Sequence, residues 1–336
     1  MDLMTVTGPV PLEAVRLADG HAHAWIARPA PELRSRPEGQ GQPDPLGPYP
    51  VLADFSPIRA ELAGFRAAGG TTLIDCQPGG CGRDARVLRR LARATGLHIT
   101  TTTGYHLPGY YPAGHWLWSA SVEEAAIYFA KELTEGTAES NGTIRAATIK
   151  IAYDGTIAGQ SAVLLEAAAI AARQTGAAIL AHTEQGKNVE ALLPFFVGRG
   201  IPADRLYLCH LDKRPDLGLH RELARAGVLL GYDTFLRPKY EPERGVWPLL
   251  RAMVADGLEG AIAIGLDLAF ANMWHYSGGP GWLALPNQII PRLRAEGFGA
   301  PTILRLTARN VAARLAWQVR SADLAHLDRR AAAITS

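Results

Sequence analysis

From residue 15 onward the sequence repeats one pattern, and that repeat limits the chain to few folds. Short apolar or β-branched runs at 15–18, 71–76, 98–103, 146–151, 177–182, 206–210, 228–233 and 261–267 read as strands. Between them lie Ala-, Leu- and Arg-rich runs of helical period at 57–68, Ala85–Thr95, Val122–Thr134, 162–174, 189–198, 217–226 and Val246–Ala255, and two more follow near 288–295 and 308–318. Ser121 and Glu124 have the spacing of a capping box at the start of one of them. Strands that each lead into a helix argue for a parallel sheet with helical crossovers. Eight such units in about 250 residues or more match a (β/α)8 TIM barrel of class α/β, here as a single domain over 1–336. A doubly wound open sheet is the alternative. It calls for a phosphate-binding glycine turn after the first strand, where this chain has His21-Ala22-His23.

The stretch 24–56 after the first strand is rich in Pro and Gly and has no apolar period. A loop of that length in a compact domain is expected to be a lid or a subunit contact, such as that of a homodimer. The chain has 336 residues, 48% of them hydrophobic, and a formal net charge of +2. That is ample for a core, and no basic run argues for nucleic acid. No signal peptide or membrane-spanning run is visible. Three cysteines without regular spacing fit a reducing cytoplasm better than a disulfide framework, and Cys76 and Cys81 read as ordinary thiols.

The polar residues at the strand ends carry the chemistry. Residues two apart on a strand point the same way, so His21 and His23 leave one face together. Lys150 stands in an apolar strand, where an unpaired ammonium is costly. His182 and His210 end later strands, and Asp267 follows Ile264-Gly265-Leu266. In a barrel all six fall on the C-terminal rim, where such enzymes hold their sites. Each alone could be a satisfied rim or capping group; together on one rim they point to a metal site.

These residues resemble the phosphotriesterase family of the amidohydrolase superfamily. The resemblance spans nearly the whole chain: Asp19-Gly20-His21-Ala22-His23, Thr103-Gly104-Tyr105-His106, Ile149-Lys150-Ile151, Ala181-His182-Thr183, His210-Leu211-Asp212 with Pro215-Asp216, Gly265-Leu266-Asp267 and Gly278-Gly279-Pro280-Gly281. The His-Leu-Asp stretch resembles the branch that includes bacterial lactonases. The resemblance implies that Lys150 is carboxylated by carbon dioxide and bridges two divalent ions. By that analogy His21, His23, Lys150 and Asp267 hold one ion, and Lys150, His182 and His210 the other. Nitrogen and oxygen ligands suit Zn²⁺, with Mn²⁺, Co²⁺ or Fe²⁺ as alternatives.

The implied reaction is hydrolysis of a small molecule by a metal-bridging hydroxide, with Asp267 as the catalytic base. A lactone or related carboxylic ester is favoured over a phosphotriester or an amide, because Arg237 and Lys239 near the mouth suit a polar or anionic substrate. The loop that starts Leu268-Ala269-Phe270-Ala271-Asn272 lacks the basic residues of relatives acting on phosphorylated sugar lactones. Tyr105, His106, Arg237, Lys239, Tyr240 and His275 are the expected substrate contacts, with Glu241 or Glu243 as alternative partners for Arg237. His98, His115, His220 and His326 read as packing or surface histidines, and Cys209 is expected to point away from the barrel axis. A non-catalytic metal-binding sensor is the competing class.

Overall fold

The chain enters through a hairpin that the alternation does not announce. The structure is a computed structural model and describes residues 1–27 and 52–317. β1 (Asp2–Thr5) and β2 (Gly8–Pro11) pair antiparallel. Val6 N–H then bonds Ile99 O, and Asp2 bridges to Trp317, so the hairpin closes the N-terminal end of the barrel.

The barrel strands follow in chain order, each parallel to the next. They are β3 (Ala18–Ala22), β4 (Thr72–Asp75), β5 (His98–Ile99) continued by β6 (Thr102–Gly104), β7 (Thr148–Tyr153), β8 (Ile179–Thr183), β9 (Leu206–Cys209), β10 (Leu229–Tyr232) and β11 (Ile262–Ile264). The third strand breaks at Thr100-Thr101, yet Thr100 N–H reaches Leu73 O and Thr101 O accepts from Ala147 N–H, so its ladder carries across the gap. Asp267 N–H donates to His21 O at 2.9 Å and closes the ring between its last and first strands. The first strand starts later than expected because Arg16 and Leu17 spend their N–H groups on the Thr71 hydroxyl. Its register against β4 slips between Asp19 and Ala22, an irregularity of the kind that re-aims side chains beside active sites.

The helices α1 (Phe55–Ala67), α2 (Ala85–Thr95), α3 (Val122–Thr134), α4 (Gly159–Thr175), α5 (Leu192–Val197), α6 (Leu217–Arg225) and α7 (Val246–Ala255) alternate with the strands. The capping box at Ser121 and Glu124 is formed. The helix expected over 189–198 opens as a 3₁₀ turn, Val189–Ala191, and Pro194 falls in the first turn of α5, where its missing N–H is tolerated. The run expected at 288–295 opens earlier, as a π turn Leu285–Ile289 leading into α8 (Ile290–Ala295). The last expected helix is replaced by α9 (Ala300–Leu304), a π turn and α10 (Asn310–Leu315). Residues 28–51 of the long loop, Gln318 and His326 lie outside the described residues. Among the described residues no helix is long and apolar enough to cross a membrane.

Strand alternation sorts the core into two layers. Leu73, Ile149, Ile151, Ile179, Leu208, Leu230, Ile262 and Ile264 pack outward with the helices. Ile74, Leu180, Tyr207, Leu229 and Ala263 fill the lumen with Leu3 and Val15. Lys150, between two outward isoleucines, must therefore project inward. Cys209 also belongs to the lumen layer, contrary to expectation. His210 adopts a left-handed backbone, φ 64°, which breaks the alternation the expectation relied on.

His220 on α6 is buried, with Nδ1 accepting from the Tyr232 hydroxyl at 2.7 Å and Nε2 donating to Arg214 O at 3.0 Å. Burial pushes its pKa down to about 4. Unfolded, it titrates near 6.5. Between those values the unfolded chain binds a proton that the native chain does not, so stability rises with pH across the window. It is lost as pH falls through it, by roughly 3 kcal/mol at the limit. His220→Phe should take that much out of the acid limb of urea-denaturation stability against pH; an unchanged slope would contradict the assignment.

Candidate metal centre

The strand ends deliver the expected ligand set to one place. His21, His210 and Asp267 bring ligand atoms within 4.8 Å of one another. The His21 ring lies 5.3 Å from His23 and 4.6 Å from His210, and His210 lies 4.6 Å from His182, centroid to centroid. Asp267 Oδ1 stands 3.6 Å from His23 Nε2 and 3.9 Å from His21 Nε2. Those spans are too long for hydrogen bonds. They approach the separation of about 3.3–3.6 Å expected of two ligands on one ion with bonds of about 2.0–2.2 Å. Lys150 is 0% exposed, and its Nζ has no hydrogen-bond partner; both ring nitrogens of His21 also lack one. The Lys150 charge is among those that push His21, His23, His182 and His210 down, after burial itself.

Partners outside this ring fix which nitrogen of His23 and of His182 faces inward. His23 Nδ1 meets Gln77 Oε1 at 2.9 Å, and Gln77 is oriented by its own Nε2 donating to Cys81 O. The His23 proton therefore sits on Nδ1, and Nε2 offers a lone pair toward Asp267. His182 Nε2 donates to Glu184 at 2.7 Å. His210 Nδ1 lies 2.7 Å from Asp233 Oδ2 without the geometry of a hydrogen bond, and that oxygen accepts the His210 backbone N–H. That leaves His182 Nδ1 and His210 Nε2 facing each other at 3.0 Å. Burial holds both rings below the usual histidine pKa. The neutral rings meet there in a hydrogen bond in which His210 Nε2–H donates to His182 Nδ1, and the unpartnered nitrogens of His21 with the unpartnered amine of Lys150 beside Asp267 make a donor set that fits a metal ion.

Asp267 and His210 both have positive φ, 49° and 64°. Strain of that kind persists where the surroundings enforce it. Burial raises the Asp267 pKa, but Arg237 and then His210 outweigh it and hold the carboxyl below its usual range. It is therefore an anion at neutral pH. Arg237 Nη2 lies 2.6 Å from Asp267 Oδ2 and also bonds the Asp267 carbonyl. The expected partners of Arg237 are taken: Glu241 pairs with Arg244, and Glu243 with Arg292.

The remaining sequence candidates divide. His106 is buried with its ring 4.7 Å from that of His182, and its Nδ1 accepts the Leu107 N–H, which puts the proton of the neutral ring on Nε2. Lys239 stands 4.8 Å over the Tyr240 ring, with Lys213 5.6 Å from it. Tyr105 is not at the mouth: its ring stacks on Phe129 of α3 and meets Trp118, in the layer between barrel and helices. His275 is exposed, and its N–H bonds Glu61 of α1. Sequence reasoning missed Gln77, Glu184, Asp233 and Lys213. Glu184 alone carried a local signal, two residues beyond His182 and just past the end of β8.

Comparison with known proteins gives the family. The model of the phosphotriesterase family matches residues 44–311. A phospho-furanose lactonase of Mycoplasmopsis synoviae (strain 53) is 26% identical over 330 residues, covering 91% of this chain and 89% of that protein. An N-acetyltaurine hydrolase of Xenopus tropicalis is 24% identical over 272 residues, 76% of each chain. The crystal structure of a lactonase from Listeria monocytogenes matches with a TM-score of 0.84 at 20% identity, covering 95% of this chain and 100% of that one, a likeness of fold.

The orienting role of Gln77 is open to test. Gln77→Leu frees the His23 ring and should weaken divalent-ion binding about 10- to 100-fold in chelator competition. Unchanged affinity would contradict it.

Proposed function

Because the chain belongs to the phosphotriesterase family, a family of hydrolases, we propose that it is a two-metal hydrolase that opens a lactone or a related carboxylic ester. The observation that carries this reading is Lys150, a fully buried amine without a hydrogen-bond partner on a rim shared by four histidines and Asp267. In this reading carbon dioxide would modify its Nζ to a carbamate, which would put an anionic metal ligand where an unpaired ammonium is costly. His21, His23 and Asp267 would hold one ion, and His182 and His210 the other; nitrogen and oxygen donors favour Zn²⁺, with Mn²⁺, Co²⁺ or Fe²⁺ as alternatives. Such ions supply Lewis acidity, which acidifies water and polarises an acyl oxygen.

The chain's own groups do the rest. Asp267 takes up the proton of the attacking water and returns it to the alkoxide as the ester bond breaks. Arg237 keeps that carboxylate ionised and fixes one of its oxygens, which replaces the expected role of Arg237 as a free substrate clamp. His106 presents an N–H beside His182, suited to an oxygen of the substrate. Lys239 and Tyr240 contact polar parts of the substrate farther out. Tyr105 and His275 are not carried into this set, given their packing and exposure.

The phospho-furanose lactonase among the relatives supports the lactone reading. The N-acetyltaurine hydrolase favours a second one, cleavage of an amide, which the same groups could perform. Metal-loaded protein should therefore be assayed against lactones, aryl esters, N-acyl amino acids and phosphotriesters. Turnover highest on lactones supports the proposal; preference for amides supports the second reading. No turnover on any class with ions bound would favour a metal sensor. Asp267→Asn should lower kcat about 10²-fold or more on the best substrate, with a smaller change in KM. An unchanged kcat would remove Asp267 from the proton transfers.

A further inference from the structure

We infer that Asp19 is a positioning residue that ties His21 to Asp267 across the seam of the barrel; the inference rests on the proposed metal centre. Among the described residues β3 and β11 share no strand pairing. Between these strands runs the backbone bond from Asp267 N–H to His21 O, and beside it stands one buried carboxylate, 0% exposed. Asp19 Oδ1 accepts the His21 N–H at 3.0 Å and the Leu266 N–H at 2.9 Å. Oδ2 accepts the Trp282 indole N–H at 2.7 Å. Leu266 directly precedes Asp267, so a single oxygen fixes the backbone leading into a ligand on each side of the seam.

The strands come unusually close here. A Cβ on Gly20 would stand 2.8 Å from Ile264 O, and one on Gly265 would stand 2.8 Å from His21 Cβ. Glycine at both positions lets the short Asp19 side chain reach across. Three N–H donors call for an acceptor with two oxygens, which the Asp19 side chain supplies. A residue that only stabilised the barrel would not need to hold both ligand segments with one atom. The consequence is specific: loss of Asp19 misplaces His21 against Asp267 and leaves His182 and His210, on β8 and just after β9, where they are.

The test is a two-step Zn²⁺ titration of the full chain against a chromogenic chelator, with circular dichroism and thermal melts alongside. Asp19→Ala should weaken one of the two binding steps about 10- to 100-fold and spare the other. Asp19→Asn, which keeps an oxygen for the His21 and Leu266 N–H groups, should weaken the same step less. Trp282→Phe removes only the contact to Oδ2, so it should lower the melting temperature and leave both affinities unchanged. If Asp19→Ala does not fold, Asp19→Asn decides. Wild-type affinity at both steps in the folded Asp19 variants would overturn the inference even if they melt lower, since Asp19 would then be structural alone. A wild-type chain that binds no Zn²⁺ is a different outcome, which overturns the metal centre itself and this inference with it.

Discussion

An amine held inside a barrel without a partner is the constraint to which the rest of the site answers. Strand alternation leaves Lys150 no outward option, since Ile149 and Ile151 occupy that layer. Burying an unpaired ammonium is among the most expensive things a fold can do. Around it the histidines are all pushed toward their neutral forms, first by burial and then by one another and by Lys150. Neutral imidazoles are the form that binds metal. A site that suppresses protonation of its histidines thus suits the metal centre proposed for it.

Specificity in such a site lies one contact farther out. Gln77 and Glu184 each accept a hydrogen bond from one histidine and so aim its other nitrogen inward. Arg237 does the corresponding job for Asp267, by charge rather than by tautomer. The two strained backbones, His210 and Asp267, are enforced through Asp233 and through the seam with His21. Together these contacts turn a set of ligand types into a set of oriented atoms, which hydrolysis requires.

What was legible in the sequence was what short-range pattern encodes. Eight alternations gave the barrel, and residues at strand ends gave the candidate ligands, because period and position within a strand are local properties. The capping box at Ser121 is a four-residue motif and was equally visible. The rest depended on distant partners. The β1–β2 hairpin earns its place by meeting Ile99 and Trp317. Arg237 was assigned to the substrate, with Glu241 or Glu243 as alternative partners, but it reaches 30 residues on, to Asp267. Cys209 was placed by an alternation that the left-handed His210 ends, and Asp19 by nothing at all, since Leu266 lies 247 residues away.

The central claim is that Lys150 holds two ions through carbon dioxide. The most direct measurement is elemental analysis of wild type and Lys150→Ala, each reconstituted with Zn²⁺ in the presence and absence of bicarbonate. ¹³C NMR of the wild type loaded from ¹³C-bicarbonate completes it. The account predicts about two ions per wild-type chain, a carbamate carbon signal, dependence on bicarbonate, and loss of both ions in Lys150→Ala. A Lys150→Ala chain that folds and keeps two ions at wild-type affinity would contradict it and leave Lys150 a buried structural lysine.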